Sequence, residues 1–267
     1  MLDFSTSACL LRRTQKIDKI SKDRLDRLVF LRGLAESRER ARALILSGVV
    51  IVNGNKVDKA GVLVKADAEI SLCGSVLPFV SRGGVKLEAA LNAFSVDVKA
   101  AVAIDVGAST GGFTDCLLKR GAARVYALDV GYGQLAWSLR QDSRVVVLER
   151  QNVRNIPAEA IPEQVDLVTI DVSFISLEKV IPAVVPRIKA EGHLIALVKP
   201  QFEVGKGGVG KGGIVRDAEK REAVVERICG LGKSWGLKTV GHLCSPIRGQ
   251  KGNIEYLIYF RRLLPES

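Results

Sequence analysis

The chain has 267 residues, 47% of them hydrophobic and 26% charged, the proportions of a globular protein with room for one large domain or a large and a small one. This composition excludes a mostly disordered, collagen-like or coiled-coil chain, and no apolar run approaches the ~18 residues of a membrane span. Forty Lys and Arg against 29 Asp and Glu leave a net charge of +11, which favours a polyanionic partner. The first 80 residues carry fourteen basic and nine acidic side chains and are the more basic part per residue. Five scattered cysteines with no C-x-x-C pair, and only two histidines, argue against a disulfide framework and against a zinc cluster. The opening MLDFSTSACL has no basic start before an apolar core and makes a poor signal peptide. A reduced, cytoplasmic protein without a metal is expected.

Residues 1–21 read as a polar and basic extension. Residues 22–80 then form a small α+β unit. A first helix is expected over 23–31, with Leu25, Leu28, Val29 and Leu31 on its apolar side. Ser37 is a good N-cap for a second, in which Ala41, Leu44 and Ile45 recur at helical spacing and Gly48 marks the end. The following VVIVNGNKV reads as two strands joined at Asn53-Gly54, the strongest short hairpin signal. A further strand is expected over 68–72. The stretch RLDRLVFLRGLAESRERARALILSGVVIVNGNKV, positions 24–57, resembles an S4-type RNA-binding module. Few aromatics are available for base stacking, so contacts would go to phosphate and RNA shape. Arg24, Arg27, Arg38, Arg40, Arg42 and Lys56 are the candidates here.

From residue 81 to 267 strand and helix text alternates. Apolar runs over 101–107, 124–129, 145–148, 165–170 and 194–198 suit a parallel sheet buried on both faces, and two late runs, 238–244 and 254–260, suit a hairpin at its edge. DVGASTGGF at the first strand–helix turn offers Asp105, Gly107, Ser109, Thr110, Gly111, Gly112 and Phe113 to a ligand. It lacks the G-x-G-x-x-G spacing of a dinucleotide site. Asp129, after the second strand, is placed to accept from both ribose hydroxyls of a nucleoside, and Asn152, after the third, to address an adenine edge. Acidic strand ends suit a cationic nucleoside without phosphate, and S-adenosylmethionine is that ligand.

Residues 205–213, GKGGVGKGG, look like a phosphate loop. No hydroxyl follows Lys211 to hold Mg²⁺, and the segment starts seven residues past its strand. A lid that clamps RNA with Lys206 and Lys211, beside Arg82, fits better than an ATP site. Four polar residues remain: Lys86 on a short helix, Asp171 and Lys199 at strand ends, and Glu255 opening the last strand. Asp171 and Lys199 converge on one crevice in an open α/β sheet, and Glu255 joins them if its strand runs antiparallel.

The order Lys86, Asp171, Lys199, Glu255 around DVGASTGGFTD resembles the K-D-K-E tetrad of FtsJ-like ribose 2′-O-methyltransferases. With the S4-like module in front, and SRGGVKL, DVSFIS and VKPQFEVG, the chain is closer still to the TlyA family. Thr110 departs from the wider pattern, in which many members have Pro. The resemblance implies a Rossmann-like methyltransferase domain over 81–267, S-adenosylmethionine as cofactor, Asp171 shared between catalysis and cofactor binding, and ribosomal RNA or subunits as partner. It implies methylation of a ribose 2′-hydroxyl, with cytidine favoured. Lys199 would stabilise the forming alkoxide, Asp171 and Glu255 would orient it, and Lys86 would place the nucleotide. A non-catalytic RNA-binding assembly factor and a haemolysin-like membrane-active protein, a name also attached to the family, stand as the alternatives.

Overall fold

Three hydrophobic cores form, one before and two after the division between residues 73 and 74, in the computed structural model, which describes residues 21–35, 37–73, 78–205, 207–249 and 251–264. The division falls before the 80/81 boundary expected from the text, because Phe79 is buried in the core of the second unit and Val80 N–H donates to Asp115 there.

In the first unit, β1 (Lys22–Arg24) runs into α1 (Leu25–Leu31), and α2 (Arg38–Leu46) is followed by β2 (Val50–Val52), β3 (Asn55–Lys56), β4 (Leu63–Lys65) and β5 (Ile70–Leu72). Ser37 Oγ caps α2 by accepting from Arg40 N–H at 3.1 Å. Asn53 and Gly54 both have positive φ, as a two-residue hairpin turn between β2 and β3 requires. The first helix starts at Leu25 rather than at residue 23. The three residues before it pair with β4, and the Leu25 and Asp26 N–H groups donate to the Val62 and Ala60 carbonyls. Leu25, Val29, Ala41, Leu44, Ile45, Val50 and Val52 fill the core between these helices and the β3-β2-β5 sheet.

The second unit begins with α3 (Gly83–Ala93), then β6 (Val102–Val106), α4 (Gly112–Lys119), β7 (Arg124–Leu128), α5 (Trp137–Arg140), β8 (Val145–Leu148) and β9 (Val165–Ile170). It continues through α6 (Ile181–Val184), β10 (Ile188–Val198), α7 (Pro200–Glu203), α8 (Ala218–Leu231), β11 (Leu237–Cys244) and β12 (Tyr256–Arg262). Seven strands make one sheet in the order β11-β12-β10-β9-β6-β7-β8. Six run in one direction, and β12, between β10 and the edge strand β11, is antiparallel to both. Side chains alternate between two cores: Ile104, Val106, Leu194, Ala196 and Val198 face one, whereas Ala103, Ile195 and Leu197 face the other. The first core includes Ile181, Val184, Val224 and Ile228 of α6 and α8, and the second Leu87, Leu91, Phe113 and Leu117 of α3 and α4. Helices thus cover both faces, the arrangement that near-continuous apolar strands require. The functional end is then the rim where the parallel strands finish.

Candidate active site

At that rim the chain leaves β6 through a turn with positive φ at Gly107, Ser109 and Gly111. A methyl group on Gly107 would lie 2.5 Å from the Asp171 carbonyl oxygen, so glycine is required twice over, by φ and by space. Gly111 and Gly112 also have a packing reason. A side chain on Gly111 would overlap Leu139, and one on Gly112 would overlap Ser81 and come within 2.9 Å of Gly84 N. Their smallness serves the packing of α4 against α3 and the Leu135–Leu139 segment. The Phe113 side chain is buried in the core with Phe79 and Leu87. Thr110 is half-buried, and its carbonyl accepts from Ala136 N–H.

Asp105 also differs from expectation. It is fully buried, Oδ2 accepting from Thr114 N–H at 3.0 Å and Thr114 Oγ1 at 2.7 Å, and Oδ1 from Thr169 Oγ1 at 3.2 Å. Its place is beneath the turn, tying β6 to α4 and β9, with no face left for a ligand. Burial pushes its pKa up to about 7, and the Asp171 charge adds to the shift. The native state therefore holds a proton that the unfolded chain releases near pH 4. The stability from this group is full below that pH and is lost as pH rises through about 7. Asp105→Asn keeps the acceptor toward Thr114 and donates to Thr169. Comparing stability at pH 5 and pH 8, the variant is expected to lose less than the parent, by up to about 3 kcal/mol.

Asp129 stands just past β7, half-exposed, its Oδ2 accepting from Ser109 N–H and its Oδ1 from Gly131 N–H at 2.8 and 2.7 Å. Each oxygen keeps a second lone pair for a ligand. Ser109 is exposed beside it, and the Gln151 N–H bond to the Asp129 carbonyl brings Asn152 to the same end of the sheet. Asn152 Oδ1 is engaged by Arg154 N–H at 3.1 Å, which leaves its amide nitrogen as the free group.

Strand register explains the next cluster. Val198 pairs with Tyr256 across β10 and β12, so Lys199 and Glu255 occupy the following step, and Asp171 is fixed beside the β6 turn by its N–H bond to the Val106 carbonyl. Lys199 Nζ lies 2.7 Å from Asp171 Oδ1 as an ion pair, and it donates to Ser173 Oγ at 2.9 Å. Lys86 Nζ donates to Glu255 Oε2 at 2.5 Å, and Gln201 Nε2 reaches Glu255 Oε1 at 3.5 Å. The four candidates thus form two lysine–carboxylate pairs. Their exposures separate them: 10% and 3% for the Lys86 and Glu255 side chains, against 12% and 21% for Lys199 and Asp171. The second pair is the more open to a substrate.

Two residues missed in the sequence stand at the same rim. Phe174 is 90% exposed in a positive-φ conformation that bulky residues avoid, its ring 4.9 Å from that of Phe202. Each lies three residues beyond a candidate, Asp171 or Lys199, but nothing in an apolar letter announces that its side chain is in water.

The expected RNA contacts are divided. In the first unit, Arg24 makes two hydrogen bonds to Asp26, Arg38 a longer one to the same carboxylate, and Arg27 one to Asp23. Asp26 is buried, and the Arg24 hydrogen bond holds its pKa below the usual carboxylate range. Arg40 is half-buried, whereas Arg42 and Lys56 are exposed. In the second unit Arg82 donates to the Arg248 carbonyl and Lys211 is exposed. Lys206 lies outside the described residues. Among the described residues no helix is long and apolar enough to cross a membrane, and no group of three or more His, Cys, Asp or Glu could hold a metal ion.

Comparison with known proteins matches residues 79–262 to the FtsJ-like methyltransferase family and residues 23–70 to the S4 domain. The chain is 48% identical over 239 residues to the 16S/23S rRNA (cytidine-2′-O)-methyltransferase TlyA of Mycobacterium tuberculosis, covering 89% of each chain. It is 44% identical to Hemolysin A of Brachyspira hyodysenteriae, over 89% of this chain and 99% of that one. A solved structure from Streptococcus thermophilus, carrying a provisional hemolysin name, superposes with a TM-score of 0.72 at 42% identity, covering 91% of this chain and 90% of that one. The chain belongs to the FtsJ-like methyltransferases and, within them, to the TlyA family, in which an S4 domain precedes the methyltransferase domain.

Proposed function

We propose that the protein transfers a methyl group from S-adenosylmethionine to the 2′-hydroxyl of a cytidine ribose in ribosomal RNA, in the cytoplasm. The observation that carries this reading is the Lys199–Asp171 pair at the open rim of a methyltransferase sheet, beside the Gly107 turn. Cytidine and ribosomal RNA are the substrates named for the Mycobacterium tuberculosis relative.

The residues around Asp129 fit the cofactor. The carboxylate keeps lone pairs for ribose hydroxyls, Ser109 and Gly107 leave the turn open, and the Asn152 amide nitrogen is free to meet an adenine acceptor. When bound, S-adenosylmethionine supplies an electrophilic methyl group on a sulfonium. A ribose hydroxyl is a poor nucleophile at neutral pH, so the chain must stabilise negative charge on its oxygen. Lys199 Nζ, anchored by Asp171 and Ser173, would hold positive charge against the 2′-oxygen as the hydroxyl loses its proton to solvent and the oxygen takes the methyl group. Asp171 fixes where that ammonium stands. The buried Lys86–Glu255 pair holds the neighbouring wall, and Gln201 links Glu255 to the Lys199 side. Near-attack alignment of oxygen and methyl does the rest.

Phe174 offers a ring for the flipped target base. Phe174→Ala is expected to lower kcat/KM for RNA roughly 10–100-fold, the worth of one base–aromatic stack, while S-adenosylmethionine affinity stays within a few-fold. In the S4 domain Arg42 and Lys56 contact phosphate, with the arginines braced by Asp23 and Asp26 beside them. The test is incubation with methyl-labelled S-adenosylmethionine and ribosomal RNA or subunits from cells lacking the gene. Label in RNA is expected; a protein that binds the cofactor and labels neither RNA nor subunits contradicts the reading and favours the assembly factor.

A further inference from the structure

A cluster of cations above the two lysine–carboxylate pairs has no part in the chemistry described so far. Arg82, Lys211, Arg216, Arg248 and Lys251 come from three short stretches, and none has a carboxylate partner among the described residues. Many arginines elsewhere in this unit do: Arg120, Arg124, Arg140, Arg144, Arg227 and Arg261 each pair with Asp or Glu. The two carboxylates in the stretches 205–217 and 245–255 are committed, Glu255 to Lys86 and Asp217 to capping α8.

The stretches are tied together. Asn253, 2% exposed, donates to the Gly213 carbonyl at 2.8 Å and accepts from Val215 N–H at 3.0 Å. A methyl group on Gly213 would lie 3.8 Å from Lys251 Nζ. Arg82 donates to the Arg248 carbonyl at 2.9 Å, Arg248 to that of Gly252 and Arg216 to that of Lys211, both at 3.4 Å. These bonds use one N–H of each guanidinium and leave the remaining donors for another acceptor. The assembly sits directly on the site, since Gly249 is buried against the Glu255 carboxylate and a side chain there would overlap it.

Like charges held together without counter-ions by hydrogen bonds that fix main chain cost stability unless an anion neutralises them. We infer that residues 211–216, 248, 249 and 251–253, with Arg82, form a rim that grips the phosphodiester backbone of the RNA strand on either side of the target nucleotide. The inference rests on the RNA-directed activity proposed above. Guanidinium forks match phosphate oxygens, and the Asn253 tie holds them at fixed spacing above the 2′-oxygen.

Binding of a fluorescein-labelled, mixed-sequence oligoribonucleotide to the full chain, without a methyl donor and over a range of salt, tests the rim. The variant Arg216→Ala/Arg248→Ala/Lys251→Ala, altered only at exposed side chains, is expected to bind roughly tenfold more weakly or worse. Its slope of log affinity on log salt should be shallower by about 2, the loss of three single-strand phosphate contacts. Lys233→Ala/Lys238→Ala removes exposed charge near the opposite end of β11 and should change neither. Equal losses in both variants would reduce the rim to general positive charge and overturn the inference, as would an unchanged triple variant. The readout needs no turnover: if the parent protein methylates no RNA, the proposed activity fails while this comparison still decides the rim.

Discussion

Lys199→Ala is expected to lower methyl transfer to RNA by at least about 10²–10³-fold, the range for removing a group that handles the charge or proton of the transition state. S-adenosylmethionine affinity should stay within a few-fold, because the residues offered to the nucleoside, Asp129, Ser109 and Asn152, lie on other strand ends. The fold should lose less than from a fully buried pair: Lys199 and Asp171 are 12% and 21% exposed, which puts the cost of parting them below about 3 kcal/mol. Turnover on RNA together with cofactor calorimetry separates these quantities. Loss of cofactor binding in the variant would move Lys199 out of the reaction and into the cofactor site.

The second lysine behaves in the opposite way. Lys86 and Glu255 are both nearly inaccessible, so Lys86→Ala strands a carboxylate in the core. Breaking a buried pair from one side costs about 3–5 kcal/mol, which for a domain of this size lowers Tm by roughly 10 °C. Removing both charges, as Lys86→Met/Glu255→Gln, should recover most of that stability, because a buried pair seldom beats a well-packed neutral replacement. Activity should not recover with it if the pair holds the wall of the site for a reacting nucleotide. Thermal unfolding and methyl transfer on the single and double variants give the comparison. A stable double variant with full activity would make the pair a structural feature only.

Much of this arrangement was legible because period and punctuation are local properties. Asn53-Gly54 announced its hairpin, Ser37 its helix, and the unbroken apolar runs a sheet covered on both faces. The convergence of Lys199 and Asp171 followed from strand direction alone, and Glu255 joined them through the antiparallel β12. Long-range packing was not legible. Gly111 and Gly112 read as room for a ligand, and nothing in the letters showed that they also make room for α3 and for Leu135 and Leu139. Asp105 read as a ligand carboxylate, yet two threonines, nine and 64 residues away, enclose it. The strand β4 escaped notice because its three residues pair with a segment that read as helix. Phe174 escaped because exposure is a property of the fold, and an aromatic letter beside an apolar strand is ordinarily core.

The most direct test is where the methyl group sits. Ribosomal RNA methylated by the purified protein would be digested to nucleosides and analysed by mass spectrometry, with fragmentation separating the sugar from the base. A nucleoside with the added mass on the ribose, in cytidine, is expected, and it should be absent when Lys199→Ala replaces the parent protein. A methyl group on the base, or a ribose methyl that persists in that variant, would contradict it.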